Sequence, residues 1–139
     1  MPTALGHKVA NVAGKVPADL VAFRGLMRLA ALRTGQMLNQ SEIGRDAHLN
    51  AMTVSRYLGL LEISFIVHRI PPYLGNRASR LMKSPKLYFA DAGLAAHLAG
   101  VADLDSTKDE PMRGALIETY VAQNILASPR LAKLCKLNW

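Results

Sequence analysis

Cysteine is almost absent from this chain of 139 residues, which contains only Cys135. A single cysteine cannot form an internal disulfide, and no neighbouring thiols are present to complete a cysteine-based zinc site. We therefore interpret Cys135 as a half-buried structural residue rather than as a nucleophile or a metal ligand.

Aromatic residues are also scarce, at 6% of the chain, although half of all residues are hydrophobic. This composition excludes wholesale disorder and predicts a core built mainly from Leu, Ala, Val and Met. The length suits one ordinary domain or two very small ones.

Long hydrophobic runs are missing. No strongly apolar stretch approaches the roughly 20 residues that cross a bilayer. Residues 1–16 lack the continuous apolar segment of a signal peptide. We expect a cytoplasmic protein with no membrane partner, in which residues 1–16 form a poorly ordered lead-in.

Motifs for catalysis are missing as well. Gly14-Lys15 resembles the end of a phosphate-binding loop, but Val9 and Val16 stand where that motif needs Gly and Ser or Thr. The four histidines are scattered, without metal-ligand spacing to a carboxylate or thiol. We predict no catalytic residue, no metal, no cofactor and no small-molecule substrate, and the chain is not expected to be an enzyme.

Positive charge is what the chain has in excess. Lys and Arg number 17 against 10 Asp and Glu, a net charge of +7. The excess lies in the first two-thirds of the sequence, which favours a polyanionic partner for that part. The alternative is a mildly basic protein that binds nothing charged.

The order of elements in residues 17–100 is typical of a winged helix-turn-helix. Apolar residues at helical spacing predict a helix over 17–34, with Asp19 in its first turn and Gly35 as its stop. Two short helices follow, joined by a turn at His48–Asn50, with Asn50 capping the second helix. Strand-like residues at 64–70 and 86–90 flank a basic loop, which is the predicted wing of a short β-hairpin.

This arrangement predicts a DNA-binding surface. The N-terminal part of the second helix of such a motif meets base edges, and flanking basic groups hold phosphates. The residues expected at base edges are Thr53, Ser55 and Arg56. Those expected at phosphates are Arg77, Arg80 and Lys83. The alternative is a protein–protein module that packs against a neighbouring domain and never meets DNA.

The C-terminal third differs in character from the rest. Residues 91–100 predict a short helix and residues 101–111 an acidic linker. Residues 112–128 predict a helix that is apolar on much of its surface and carries the lone acid Glu118, for which Arg113 or Lys136 is the expected ion-pair partner. The segment 131–139 could begin a strand, and a partner is expected to dock on the apolar helix.

Several segments together resemble one family of prokaryotic AAA-type ATP-binding proteins. They are RTGQMLN, TVSRYLGLLE, PPYLGNRASR, KSPKLYFADAG and RGALIETYV. In that family a P-loop ATPase domain precedes a winged helix, which is followed by an uncharacterised restriction-endonuclease-like domain. The resemblance covers about residues 17–138, the C-terminal half of such a protein.

The resemblance implies that the chain is a fragment of such an ATPase. The P-loop would lie before Met1, and the nuclease-like sheet with its acidic residues would lie after Trp139. Residues 101–139 would be the incomplete start of the α/β nuclease-like domain. The expected overall class is mainly α, with neither ATP hydrolysis nor DNA cleavage by this chain. Possible partners are DNA and an ATPase or nuclease-like domain encoded separately.

Overall fold

The computed structural model describes residues 19–73, 78–79, 83–105 and 108–134. The predicted lead-in 1–16, Pro17, Arg77, Arg80 and Lys136 lie outside these ranges. The elements follow in the order α1 (Leu20–Leu32), β1 (Gln36–Met37), α2 (Gln40–Ala47), α3 (Ala51–Ile63), β2 (Val67–Ile70), β3 (Lys86–Phe89), α4 (Ala92–Ala99), α5 (Glu110–Ala127) and α6 (Pro129–Leu134). The prediction of a mainly α protein is confirmed.

The first helix begins later than predicted because a side chain caps it. The Asp19 carboxylate accepts hydrogen bonds from the backbone N–H groups of Val21 and Ala22, at 3.0 and 3.1 Å. Asp19 is therefore the N-cap of α1 and does not lie within its first turn. The helix ends at Leu32, and Gly35 follows in the left-handed region at φ +73°.

The predicted turn between the two short helices is confirmed. His48 ends α2 in the left-handed conformation, and the Leu49 N–H donates to the Gly44 carbonyl at 2.9 Å. The Asn50 side chain then accepts from the Thr53 N–H at 2.8 Å and starts α3. The left-handed residue His48 ends one helix, and the N-cap Asn50 starts the next only two residues later. These two residues explain why the chain changes direction sharply here.

The three strands form one antiparallel sheet in the order β1-β3-β2. Val67 pairs with Phe89 and Ile70 with Lys86, so β2 and β3 form a hairpin across residues 71–85. The predicted strand at 64–70 is shorter than expected, because Phe65 adopts φ +58° in the turn that ends α3. The sequence did not predict β1, which is only two residues long.

One buried cluster joins all parts of the fold. It contains residues of α1, α2, α3, β2, β3, α4 and α5, including Leu26, Ile43, Leu58, Phe89, Ala95 and Leu116. Leu20 is one of the apolar residues whose helical spacing predicts α1, but it is exposed, whereas Leu26 is completely buried. Met112 and Leu116 of α5 belong to the same cluster, although the boundary near residue 100 itself remains a prediction.

Helix α5 packs on β3 and α4 through the side of the helix that carries its buried residues Met112, Leu116 and Thr119. Glu118 does not pair with Arg113. Its Oε1 accepts from Lys86 Nζ at 2.7 Å and from the Tyr88 hydroxyl at 2.5 Å, both on β3. The predicted strand beginning at residue 131 is wrong for residues 131–134, because they belong to α6.

Candidate nucleic-acid interface

Helix α3 is anchored by one face and open on the other. Val54, Leu58 and Leu61 are almost wholly buried in the core. On the opposite face, Met52 is 83% exposed, and Ser55 and Arg56 are also exposed. Among the residues at that face is Gly59, where an added Cβ would meet no atom within 4 Å. The core thus holds α3 while leaving its outer face available to a partner.

Arg56 has an aromatic neighbour and no acidic one. Its guanidinium carbon lies 5.3 Å from the centroid of the Tyr57 ring. The Tyr57 ring packs edge-on against Phe23 of α1, with centroids 5.3 Å apart. Within the described ranges, no carboxylate oxygen lies within 4 Å of the guanidinium. Arg56 therefore keeps its charge and its donors for an outside partner.

Each acidic residue of α2 and α3 has an arginine of another element within 4 Å. Arg33, at the end of α1, lies 2.5 Å from Asp46 and 3.7 Å from Glu42. Arg69 of β2 pairs with Glu62. These three carboxylates are all the acids that the two helices contain. Arg45 and Arg56 of the helix pair are thus exposed to solvent, whereas its carboxylates lie beside arginines of α1 and β2.

The predicted site residues are only partly brought together. Thr53, Ser55 and Arg56 share the first turns of α3, with Thr53 half-buried and its N–H taken by the Asn50 cap. Lys83 is exposed, three residues before β3. Arg77 and Arg80 lie outside the described residues, so their relation to α3 stays a prediction.

Sequence reasoning missed three residues beside the predicted set, two of them exposed and one half-buried. They are Arg45 on α2, and Met52 and Gly59 on α3. Met52 and Gly59 stand four residues before and three after Arg56, the spacing that places side chains on one helix face. That spacing was a usable signal, whereas no sequence pattern shows that Arg45 has no ion pair with another residue of the described ranges.

A second feature is an apolar groove between the sheet and α5. Its volume is about 340 Å³, and Ile70, Pro71, Tyr88, Ile125 and Leu126 are among its lining residues. Burial, and then the hydrogen bond to Glu118, raise the pKa of the Tyr88 hydroxyl. Hydrogen bonds from Lys86 and Tyr88 lower the pKa of Glu118. These three polar groups satisfy one another, so none of them is poised as a nucleophile.

The described ranges contain neither a candidate metal cluster nor a helix able to cross a membrane. In these ranges, no three His, Cys, Asp or Glu side chains are grouped so that they could hold a metal ion. None of the helices described has both the length and the apolar character needed to cross a membrane.

The chain belongs to the family described as a domain of unknown function (DUF8612), which matches residues 3–105. It is also 29% identical over 125 residues to the uncharacterized proteins Mb2031c of Mycobacterium bovis and Rv2008c of Mycobacterium tuberculosis. Those alignments cover 90% of this chain but only 28% of each relative. No solved structure matches the chain.

Proposed function

We propose that this chain is a winged-helix module that binds DNA and has no catalysis of its own. The order α1-β1-α2-α3-β2-β3, with β1 and β2 on either side of β3, supports a winged helix in which residues 71–85 form the wing. In such a module α3 is the recognition helix. Its first turns, with Thr53, Ser55 and Arg56, face the bases, while Arg77, Arg80 and Lys83 hold phosphates.

The observation that carries the proposal is that every acid in α2 and α3 has an arginine of another element beside it, while the arginines of the two helices themselves are exposed. Glu42, Asp46 and Glu62 are each paired with an arginine of a neighbouring element. Together with the exposed Arg45 and Arg56, the two helices and these arginines carry four positive charges against three negative ones, so an approaching polyanion meets a net positive charge. Complementary charge of this kind supplies most of the sequence-independent affinity for DNA.

We also propose that the module belongs to a longer cytoplasmic AAA-type ATPase. The family match and the small share of the relatives that this chain covers support a larger architecture. In that architecture an ATPase domain precedes the module and a nuclease-like domain follows it. When these are encoded separately, they become partners of this chain.

A salt titration with a fluorescent duplex tests the DNA-binding proposal. With about four phosphates contacted, the logarithm of the association constant should fall by roughly 3 to 4 for each tenfold rise in salt. Arg56→Ala should weaken binding severalfold, whereas Arg130→Ala on α6 removes the same charge from an exposed site and should change little. No binding to any duplex at low salt would refute the proposal.

A second candidate function, protein–protein docking, is favoured by the outer face of α5. Ile117, Tyr120 and Val121 lie at helical spacing and are each about half exposed or more. Exposed apolar side chains grouped in this way mark interaction surfaces. If docking is the function, Tyr120→Lys weakens association with a co-expressed neighbouring domain of the longer protein, and Arg56→Ala leaves that association unchanged.

A further inference from the structure

We propose that the outer face of α3 reads a guanine and a thymine in the DNA major groove. Arg56 would contact the guanine and Met52 the thymine methyl group, with Gly59 at the closest approach of the helix to the DNA. This inference rests on the proposed DNA-binding function and goes beyond it, because charge alone gives no sequence preference.

Arg56 is suited to guanine because its guanidinium matches the acceptors of that base and because no described carboxylate occupies its donors. A guanidinium donates two parallel hydrogen bonds to O6 and N7 of guanine, which is the commonest base-specific contact in the major groove. No carboxylate of the described chain competes for these donors. The Tyr57 ring lies beneath the guanidinium and is itself held by Phe23. The side chain therefore loses little freedom when it binds.

Met52 is suited to thymine by position and exposure. It lies one helical turn before Arg56, at the N-terminal end of α3 that enters the groove in helix-turn-helix complexes. With 83% of its surface exposed, it contributes little to the core. In the major groove thymine differs from cytosine by its O4 acceptor and by its 5-methyl group, and apolar side chains contact that methyl group. A flexible thioether side chain can supply that contact.

Gly59 is the position at which we expect the DNA to come closest to α3. Glycine inside a helix destabilises it relative to alanine, so its presence needs a reason. The fold supplies none, since a Cβ at this position would meet no atom within 4 Å, as is also the case at Gly25 and Gly114. What distinguishes Gly59 from these two is its place on the proposed recognition helix. Gly59 follows Arg56 by one turn on the same face. A missing side chain there lets the DNA backbone or a base edge lie directly against α3.

Selection from a pool of randomised 20-base-pair duplexes tests the base assignments. We expect a selected site with one position dependent on Arg56, at which Arg56→Gln shifts the preference from guanine to adenine by about tenfold. Replacing the thymines of the selected duplex with uracil removes only methyl groups. It should weaken binding about fourfold for the wild type and not at all for Met52→Ala.

The Gly59 assignment is tested by a matched pair of variants. Gly59→Gln and Gly25→Gln place the same uncharged side chain on an open helical surface, since Gly25 of α1 also has nothing near its missing Cβ. Thermal unfolding should show that both variants fold. Only Gly59→Gln should weaken binding of the selected duplex, by about tenfold or more, as expected for loss of a close contact.

The possible results separate this inference from the proposed function. Salt-dependent binding that is equal for all duplexes would overturn the base assignments and leave DNA binding intact. Wild-type affinity in Gly59→Gln would overturn the close approach. No binding to any duplex at low salt would overturn both the inference and the function on which it rests.

Discussion

Thr34 and Thr119 form a hydrogen-bonded chain in the core, where both side chains are completely buried. The Thr119 hydroxyl donates to the Ala115 carbonyl at 2.8 Å. Its oxygen is then the acceptor for the Thr34 hydroxyl, 2.8 Å away. Thr34 in turn accepts from the Phe89 N–H at 3.2 Å. Two small polar side chains thereby connect the end of α1, strand β3 and helix α5.

Replacing Thr34 should therefore cost more than replacing Thr119. Thr34→Val leaves the Phe89 N–H unsatisfied and removes the donor to Thr119, so we expect the free energy of unfolding to fall by about 2 kcal/mol. Thr119→Val removes only the acceptor for Thr34 and should cost about 1 kcal/mol. Urea unfolding of both variants measures this, with Thr53→Val, at a half-buried position of α3, as the control. Equal, negligible losses at both sites would contradict the hydrogen-bond assignment.

Phe65 occupies a position where the fold favours glycine. It follows α3 with φ +58°, and its N–H and that of Ile66 donate to the Glu62 and Leu61 carbonyls. This is the left-handed closing residue of a Schellman motif, and its ring is 77% exposed. A bulky side chain in this conformation is strained and gains little from burial.

Phe65→Gly should accordingly raise the free energy of unfolding, by about 1 kcal/mol. The matched control is Ile63→Gly, two residues earlier, where the backbone is helical. There glycine should lower stability by about 1 kcal/mol. Thermal unfolding of the two variants should shift the midpoint in opposite directions. A loss of stability in both would show that the Phe65 ring stabilises the fold despite its exposure.

At the scale of elements, the main question is whether α5 is part of the same folding unit as α1 to α3. Leu116 and Ile117 are neighbours of equal size on this helix. Leu116 is almost completely buried, and Ile117 is about half exposed. We expect Leu116→Ala to lower the free energy of unfolding by about 2 to 5 kcal/mol. Ile117→Ala should lower it by about 0.5 kcal/mol or less.

The unfolding curves of these two variants also test the domain boundary predicted near residue 100. A single transition, shifted as a whole in Leu116→Ala, would mean that α5 unfolds together with the helix-turn-helix. Two transitions, with only one of them shifted, would mean that residues 101–139 form a separate unit.

Local signals made much of the element order predictable. Asn50 caps α3 and Gly100 ends α4, as the sequence indicated, whereas Asp91, predicted as the start of α4, is its N-cap. Tertiary contacts decided the rest. Leu20 has the helical spacing of the other apolar residues, but α1 begins there and it is exposed, whereas Leu26 is completely buried in the core. Strand β1 is two residues long and has no detectable sequence pattern of its own.

The candidate site was predictable to a similar extent. The turn and its cap locate α3, and Arg56 follows from the position of that helix. The arginine partners of Glu42, Asp46 and Glu62 were not predictable, because Arg33 and Arg69 reach them from other elements. The partner of Glu118 was missed for the same reason, since local spacing pointed to Arg113 and packing supplied Lys86.

At the scale of the whole molecule, the contact between α5 and the sheet makes the free energy of unfolding depend on pH in the acidic range. Hydrogen bonds from Lys86 and Tyr88 lower the pKa of Glu118 below its ordinary value of 4.5. A carboxyl group whose pKa is lower in the folded state stabilises the fold above its unfolded pKa. That stabilisation is lost as the pH falls through the folded value.

Glu118→Gln should therefore be less stable than the wild type at pH 7, and the difference should disappear as the pH falls well below 4.5. Urea unfolding at pH 7, 5 and 3 measures the difference at each pH. A difference that stays constant over this range would show that the Glu118 charge does not contribute, and that the loss arises from the changed shape of the side chain alone.

The order of the strands has a consequence for synthesis on the ribosome. Strand β1 precedes α2 and α3 in the chain, but it pairs only with β3, where Gln36 lies opposite Leu87. The helices can therefore pack as soon as they emerge, whereas β1 must wait until β3 has left the exit tunnel. The Gly35 N–H and the Leu38 N–H, which bond to Leu87 and Pro85, stay open to water until then. A stalled nascent chain that ends before Lys86 should accordingly contain the helix-turn-helix and no sheet.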